Sequence, residues 1–160
     1  MSLGGGGGGG QLEQLSQELQ AIEAQQEALK GEIEDYRAEQ REIDKAIEAL
    51  ETLDSGSTVQ VPLGGDAYVH AEVGDIDAVT VSLGGGYAAE RDREGAIGTL
   101  DRKRDAIDDR IDETRTEIDE LDAESEQLEQ QAQQMQQQQM QQVQQQMQQR
   151  QQGPGDADDE

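Results

Sequence analysis

The chain has 160 residues, of which 32% are hydrophobic and 2% aromatic, with no Phe, Trp or Cys. That apolar content is too small for a compact core of this length; it suits either disorder or long helices that bury only a narrow seam. Thirty-seven acidic against twelve basic side chains leave a formal charge of −25, a field that repels nucleic-acid phosphates and anionic membranes and argues against both as partners.

Residues 1–10 contain seven consecutive glycines and neither a basic segment nor an apolar run, so they read as a flexible leader rather than a signal peptide. From Leu12 the apolar residues alternate steps of three and four. One seam position holds Leu12, Leu19, Gln26, Ile33, Gln40 and Ile47; the other holds Leu15, Ile22, Leu29, Tyr36, Ile43 and Leu50. This sustained heptad predicts a coiled-coil helix over 11–54, roughly 60 Å long at ~1.5 Å per residue. Gly31 weakens it by ~1 kcal/mol relative to Ala. Gln26 and Gln40 cost seam stability but can fix its register.

Asp54-Ser55-Gly56-Ser57 stops the helix, and the period changes from 3.5 to 2. Val59, Val61 and Leu63 alternate with Thr58, Gln60 and Pro62. After Gly64-Gly65-Asp66, Ala67, Val69, Ala71 and Val73 share a face, and after Gly74-Asp75 come Val79, Val81 and Leu83. Gly84-Gly85-Gly86 leads into residues 87–90. The segment 58–90 therefore predicts four short strands in two β-hairpins, with Pro62 at an edge or bulge.

A second heptad begins near Glu94 and places Ile97, Leu100, Ile107, Ile111, Ile118, Leu121 and Leu128 on its seam, interrupted by Arg104, Thr114 and Ser125. A helix over 92–137 matches the first in length, and the two fold back as an antiparallel pair, each burying the other's seam. The predicted class is mainly α: a long antiparallel two-helix coiled coil with two β-hairpins inserted between the helices. From residue 130 to 152 there are seventeen Gln, and the apolar spacing leaves the earlier heptad, which argues against pairing with the first helix. Residues 138–160, Gln/Met-rich and then acidic after Gly153-Pro154-Gly155, are expected to be a disordered tail.

Catalysis is hard to place. His70 is the only histidine and lies in mid-strand, which suits a surface or barrel-lining role; there is no Cys nucleophile and no phosphate-binding Gly-Lys loop. Gly84-Gly85-Gly86-Tyr87-Ala88-Ala89 fits the dinucleotide fingerprint in letters only, because no parallel return strand follows. Asp105, Asp108, Asp109 and Asp112 alternate with Arg102, Arg104 and Arg110 at helical pairing distances, a solvated face rather than a metal cluster. No metal, no cofactor and no enzymatic activity are expected. No apolar run approaches the ~18 residues of a membrane span, and the expected location is the cytoplasm. The acids are spread along the chain and only Lys30, Lys45 and Lys103 are Lys, a surface suited to concentrated salt.

The informative residues are apolar. Two hairpins alone are marginal and leave open edges, so Val59, Val61, Leu63, Val69, Val79, Val81 and Leu83 are expected to carry assembly with other subunits. At the other end Leu12, Leu15 and Leu19 face Leu128 and Met135, with Met140, Val143 and Met147 beyond. If those tips fray they form an adaptable sticky surface, for which Met is well suited.

Val59-Gln60-Val61-Pro62-Leu63-Gly64, Tyr68-Val69-His70-Ala71 and Val79-Thr80-Val81-Ser82-Leu83-Gly84-Gly85-Gly86-Tyr87 with Glu90 resemble the two-hairpin insert of archaeal prefoldin alpha subunits, and the resemblance covers about residues 11–128. It implies an α2β4 hexamer with the prefoldin beta subunit, whose β insert builds the body. It further implies coiled-coil tips that hold non-native proteins without ATP and deliver them to a group II chaperonin. The competing expectation is a structural or adaptor coiled coil that binds one folded partner.

Overall fold

The computed structural model describes residues 7–151. Two long helices enclose two hairpins: α1 (Gly7–Thr52), β1 (Thr58–Gly64), β2 (Ala67–Glu72), β3 (Val79–Gly84), β4 (Tyr87–Arg91) and α2 (Arg93–Gln151). The predicted class holds, and both helices are longer than the heptads alone implied. Helix α1 begins at Gly7 instead of residue 11, because extending a nucleated helix fixes one residue per hydrogen bond and even Gly can follow. Helix α2 runs past 137 to Gln151. Gln is a good helix former, and the first breaker after that point is Gly153. The expected tail over 138–151 is thus helical, while residues 1–6 of the leader and 152–160 of the tail lie outside the described residues.

The chain divides into two compact units, one formed by residues 31–114 and the other by the described parts of 1–30 and 115–160. In the first, Ile33 and Ile43 of α1 and Ala96, Ile107 and Ile111 of α2 are buried. Each buried Ile contributes about 1.5–3 kcal/mol by leaving water. The helix segments run antiparallel: Gln40 bonds to Arg104 and Asp108, and Leu53, just past the end of α1, bonds to Arg93 at the start of α2. Thr99 and Thr114 are buried in the seam of α2. Their hydroxyls donate to the carbonyls of Gly95 and Arg110 one turn back, both at 2.9 Å, so neither is left unsatisfied.

The junctions between helices and hairpins are capped. The carboxylate of Asp92 accepts the amide N–H of Gly95 at 2.7 Å, an N-cap for α2, with Glu94 in the first turn. The Arg93 guanidinium donates to the Leu53 carbonyl just past the end of α1 and pairs with Asp54 at 3.1 Å. A cation there is favoured by the helix dipole.

The two hairpins share one pattern, Val-x-Val-x-Leu-Gly-Gly, starting at Val59 and again at Val79. β1 pairs with β2 through Val59↔Ala71, Val61↔Val69 and Pro62↔Tyr68, and β3 with β4 through Val79↔Arg91, Val81↔Ala89 and Ser82↔Ala88. In both, the register shifts at the Leu, Leu63 or Leu83. The two-residue loops that follow, Gly65-Asp66 and Gly85-Gly86, hold positive φ at both positions: 60° and 61° in the first, 62° and 83° in the second. That is what a type I′ turn requires, and it explains Gly or Asp at all four positions. Each hairpin forms its own two-stranded sheet.

The hairpins differ in what they pack against. Val79 and Val81 line one pocket with Ala46, Ala49, Leu50 and Leu100, Val81 is buried, and the Lys103 ammonium donates to the Ser82 carbonyl at 3.1 Å. The other hairpin is exposed along most of both strands.

In the second unit Leu15 and Ile22 are buried and Leu12, Leu19, Leu29, Ile118, Leu121 and Leu128 half-buried. Here too the segments run antiparallel, with Gln26 on Ile118 and Asp122, and Leu15 sharing a groove with Leu128 and Met135.

Candidate interaction surfaces

Two apolar surfaces stand out. The first is the β insert. Of the residues expected to carry assembly, Val61 (40% exposed), Leu63 (68%), Val69 (45%) and Leu83 (51%) are open to solvent. Val59 and Val79 are half-buried and Val81 is buried within its own chain. Since each sheet has only two strands, every strand also keeps one edge of N–H and C=O groups outside a ladder. Tyr68 and Tyr87 join this surface and were missed from sequence. Their signal was available: each lies at the start of the return strand, just after a glycine turn. Tyr68 shares its face with His70, whose ring nitrogen sits 3.4 Å from the Gln60 amide on the paired strand.

The second surface lies on α2. The eight residues expected at the tip separate into two groups. Leu12, Leu15, Leu19, Leu128 and Met135 are buried or half-buried in the seam. Met140, Val143 and Met147 are exposed. The division follows from spacing. Leu128, Ala132, Met135 and Gln139 continue the heptad in steps of four, three and four, and all four are half-buried. The seam therefore persists into the Gln tract, contrary to the expectation that the spacing fails from residue 130. The slip comes at Met140, one residue late, which turns the next stripe by about 100° around the helix. Met140, Val143 and Met147, spaced three and four, then share a face of their own. Met140 and Val143 line a shallow pocket with Gln136, Gln139 and Gln144.

Charge sets this stripe apart. Residues 130–149 contain no ionisable side chain in a protein of net charge −25. The other surfaces carry ordinary ion pairs: Lys30–Glu27, Arg37–Glu34 and Lys45–Glu42, all exposed and spaced i,i+3, a class that contributes little to stability. Arg104 bridges to Asp44 at 2.6 Å and to Asp101 at 3.1 Å, and the Asp44 hydrogen bond holds its guanidinium above its ordinary range. The Tyr36 phenol is likewise pushed up, chiefly by the bond its hydroxyl donates to Glu32. Among the described residues no group of three His, Asp or Glu side chains could hold a metal ion, and no helix is long and apolar enough to cross a membrane.

Comparison with known proteins bears on both surfaces. A family model described as Prefoldin subunit matches residues 11–138. The prefoldin alpha subunits of Halorubrum lacusprofundi and Halobacterium salinarum are 68% and 61% identical, each over 71% of this chain and 73% of the relative. That of Haloarcula marismortui is 59% identical over 64% of this chain and 67% of its own. Among solved structures, filamentous PFD from Methanocaldococcus jannaschii superposes with a TM-score of 0.62 at 31% identity, covering 69% of this chain and 93% of that one. The family match takes in the whole β insert and stops two residues before Met140.

Proposed function

The chain belongs to the prefoldin family of chaperones, in its alpha branch, and on that premise we propose that it is an ATP-independent holdase of the cytoplasm. In this reading it captures non-native polypeptide at the ends of its helices and hands it to a group II chaperonin. The observation that carries the reading is the stripe of Met140, Val143 and Met147, apolar, exposed and, apart from Arg150 one turn beyond Met147, free of neighbouring charge. Flexible thioethers repack around many sequences, which is what a binder of unfolded chains needs. Leu12, Leu15, Leu19, Leu128 and Met135 form a reserve that fraying of the helix ends exposes.

Assembly precedes capture. The β edges together with Val61, Leu63, Val69 and Leu83 pair with beta-type subunits in an α2β4 hexamer, and Val59, Val79 and Val81 support that surface from beneath. The solved M. jannaschii relative is filamentous; for this chain we favour the closed hexamer, in which no sheet edge is left open.

The test combines the chain with a beta-type partner in concentrated salt and adds the assembly to an aggregating unfolded protein. Light scattering should fall without ATP, and native mass should show six subunits. An intact assembly that leaves scattering unchanged overturns the reading. Capture of one folded protein, with indifference to unfolded chains, supports an adaptor coiled coil instead.

A further inference from the structure

We infer that Met140 and Met147 are sites of reversible oxidation, and that their conversion to sulfoxides switches off capture of non-native polypeptide; this rests on the holdase reading above. The chain has four Met and no Cys or Trp. Apart from Met1, which lies outside the described residues, all of them fall within 135–147. Thioethers are the groups here most open to two-electron oxidation, so a peroxide or hypochlorous acid is directed to this one stretch of α2.

Accessibility grades the three. Met140 and Met147 are 69% and 65% exposed, while Met135 is half-buried in the groove with Leu15 and Leu128. The two outer sulfurs should react first. In the reaction the peroxide O–O bond breaks and a sulfur–oxygen bond forms. The sulfur is oxidised by two electrons, and the other peroxide oxygen leaves as water.

The consequence is local. A sulfoxide is polar and accepts hydrogen bonds, and the carboxamides of Gln136, Gln139 and Gln144 are at hand to donate them. Only Val143 then remains apolar on the stripe. The heptad seam before residue 135 and the β insert contain no Met, so fold and assembly do not depend on these sulfurs. In the reverse step two thiols are oxidised to a disulfide, the sulfur–oxygen bond breaks, the oxygen leaves as water and the thioether is restored.

The experiment treats the assembled protein, with its beta-type partner, with graded hydrogen peroxide. Peptide mass spectrometry reads each Met, native mass reads assembly, and scattering of an unfolded protein reads capture. We expect Met140 and Met147 to gain one oxygen each before Met135 does, the assembly to stay intact, and the amount needed for suppression to rise several-fold. A sulfoxide reductase with a thiol donor should reverse the change. The variant Met140→Leu/Met147→Leu, compared with its own untreated activity, should lose none of it. Suppression that is undiminished once both sulfoxides have formed, or lost equally in the Leu variant, overturns the switch alone. Absence of suppression before any oxidant overturns the holdase reading, and the switch with it.

Discussion

The side-chain amide of Gln40 donates to the Asp108 carboxylate at 2.6 Å and to the Arg104 carbonyl at 3.3 Å, across the seam between α1 and α2. Gln26 repeats the arrangement on Asp122 and the Ile118 carbonyl, at 2.5 and 3.3 Å. Each Gln sits where the heptad calls for an apolar residue, and its donor has partners in one register only. Replacing Gln40 by Leu gives up two hydrogen bonds, about 0.5–1.5 kcal/mol for the carbonyl and about 1.5–3 kcal/mol for the carboxylate, against at most about 1.5–3 kcal/mol of burial at a half-buried position. Gln40→Leu should therefore leave the thermal midpoint unchanged or lower while relaxing the register. Spin labels at Glu42 and Asp105, both exposed, should report a broader distance distribution in the variant. A raised midpoint, or an unchanged distribution, would count against this role.

Gly31 and Gly95 are both helical, and Ala should stabilise the chain at the first only. A Cβ at Gly31 meets nothing within 4 Å, so Gly31→Ala recovers the ordinary helix penalty of about 1 kcal/mol. A Cβ at Gly95 lies 2.6 Å from the Asp92 carboxylate oxygen that caps α2. Gly95→Ala displaces that cap, at a cost of about 1 kcal/mol that cancels or outweighs the gain in propensity. Denaturant midpoints measured side by side decide the matter: equal shifts would refute the distinction.

The heptads were legible because Leu, Ile and Tyr recur at fixed steps from Leu12 to Leu50 among charged neighbours, and the strands because glycine turns punctuate a two-residue alternation. What the sequence hid has specific causes. In the Gln tract only Ala132 and Met135 mark the seam, and a small residue and a flexible one among uncharged neighbours carry too little contrast to show the phase. Tyr68 and Tyr87 lie outside the aliphatic alternation, Tyr68 out of phase with Ala67, Val69 and Ala71, so that alternation does not mark them as part of the surface. Most instructive are Val61 and Val81, which hold the same place in the same pattern yet differ nearly sevenfold in exposure, 40% against 6%. A local pattern says that a face is apolar. It does not say whether the chain itself or a partner covers that face.

The same pair supplies a test of assembly. Val81 belongs to the packing of its own chain beside Ala46 and Leu50, so Val81→Asp buries a charge without a partner and should unfold the second hairpin, visible in the isolated chain by hydrogen exchange. Val61 is covered by nothing in its own chain to the same degree. Val61→Asp should leave the isolated chain folded and block association with the beta-type subunit, so that native mass shows free chain where the parent shows hexamer. If the Val61 variant assembles normally, the first hairpin is not the contact surface.

Salt should govern stability. With 37 acids against 12 bases, cations are too few to pair with most carboxylates, and the seam places Asp108 and Asp122 on Gln amides. The screening length is about 10 Å at 0.1 M salt and about 3 Å at 1 M. Neighbouring side chains on one helix face, about 5–6 Å apart, therefore repel each other at the lower concentration and are screened at the higher. The thermal midpoint should change little between about 2 M and about 1 M KCl and fall as KCl is lowered further to about 0.1 M. Asp109 and Glu113 are exposed one turn apart on α2. Replacing both with Lys brings the formal charge from −25 to −21 and should flatten the dependence, helping most at low salt. A midpoint indifferent to salt, or a Lys variant with an unchanged slope, would mean that repulsion is not what concentrated salt relieves.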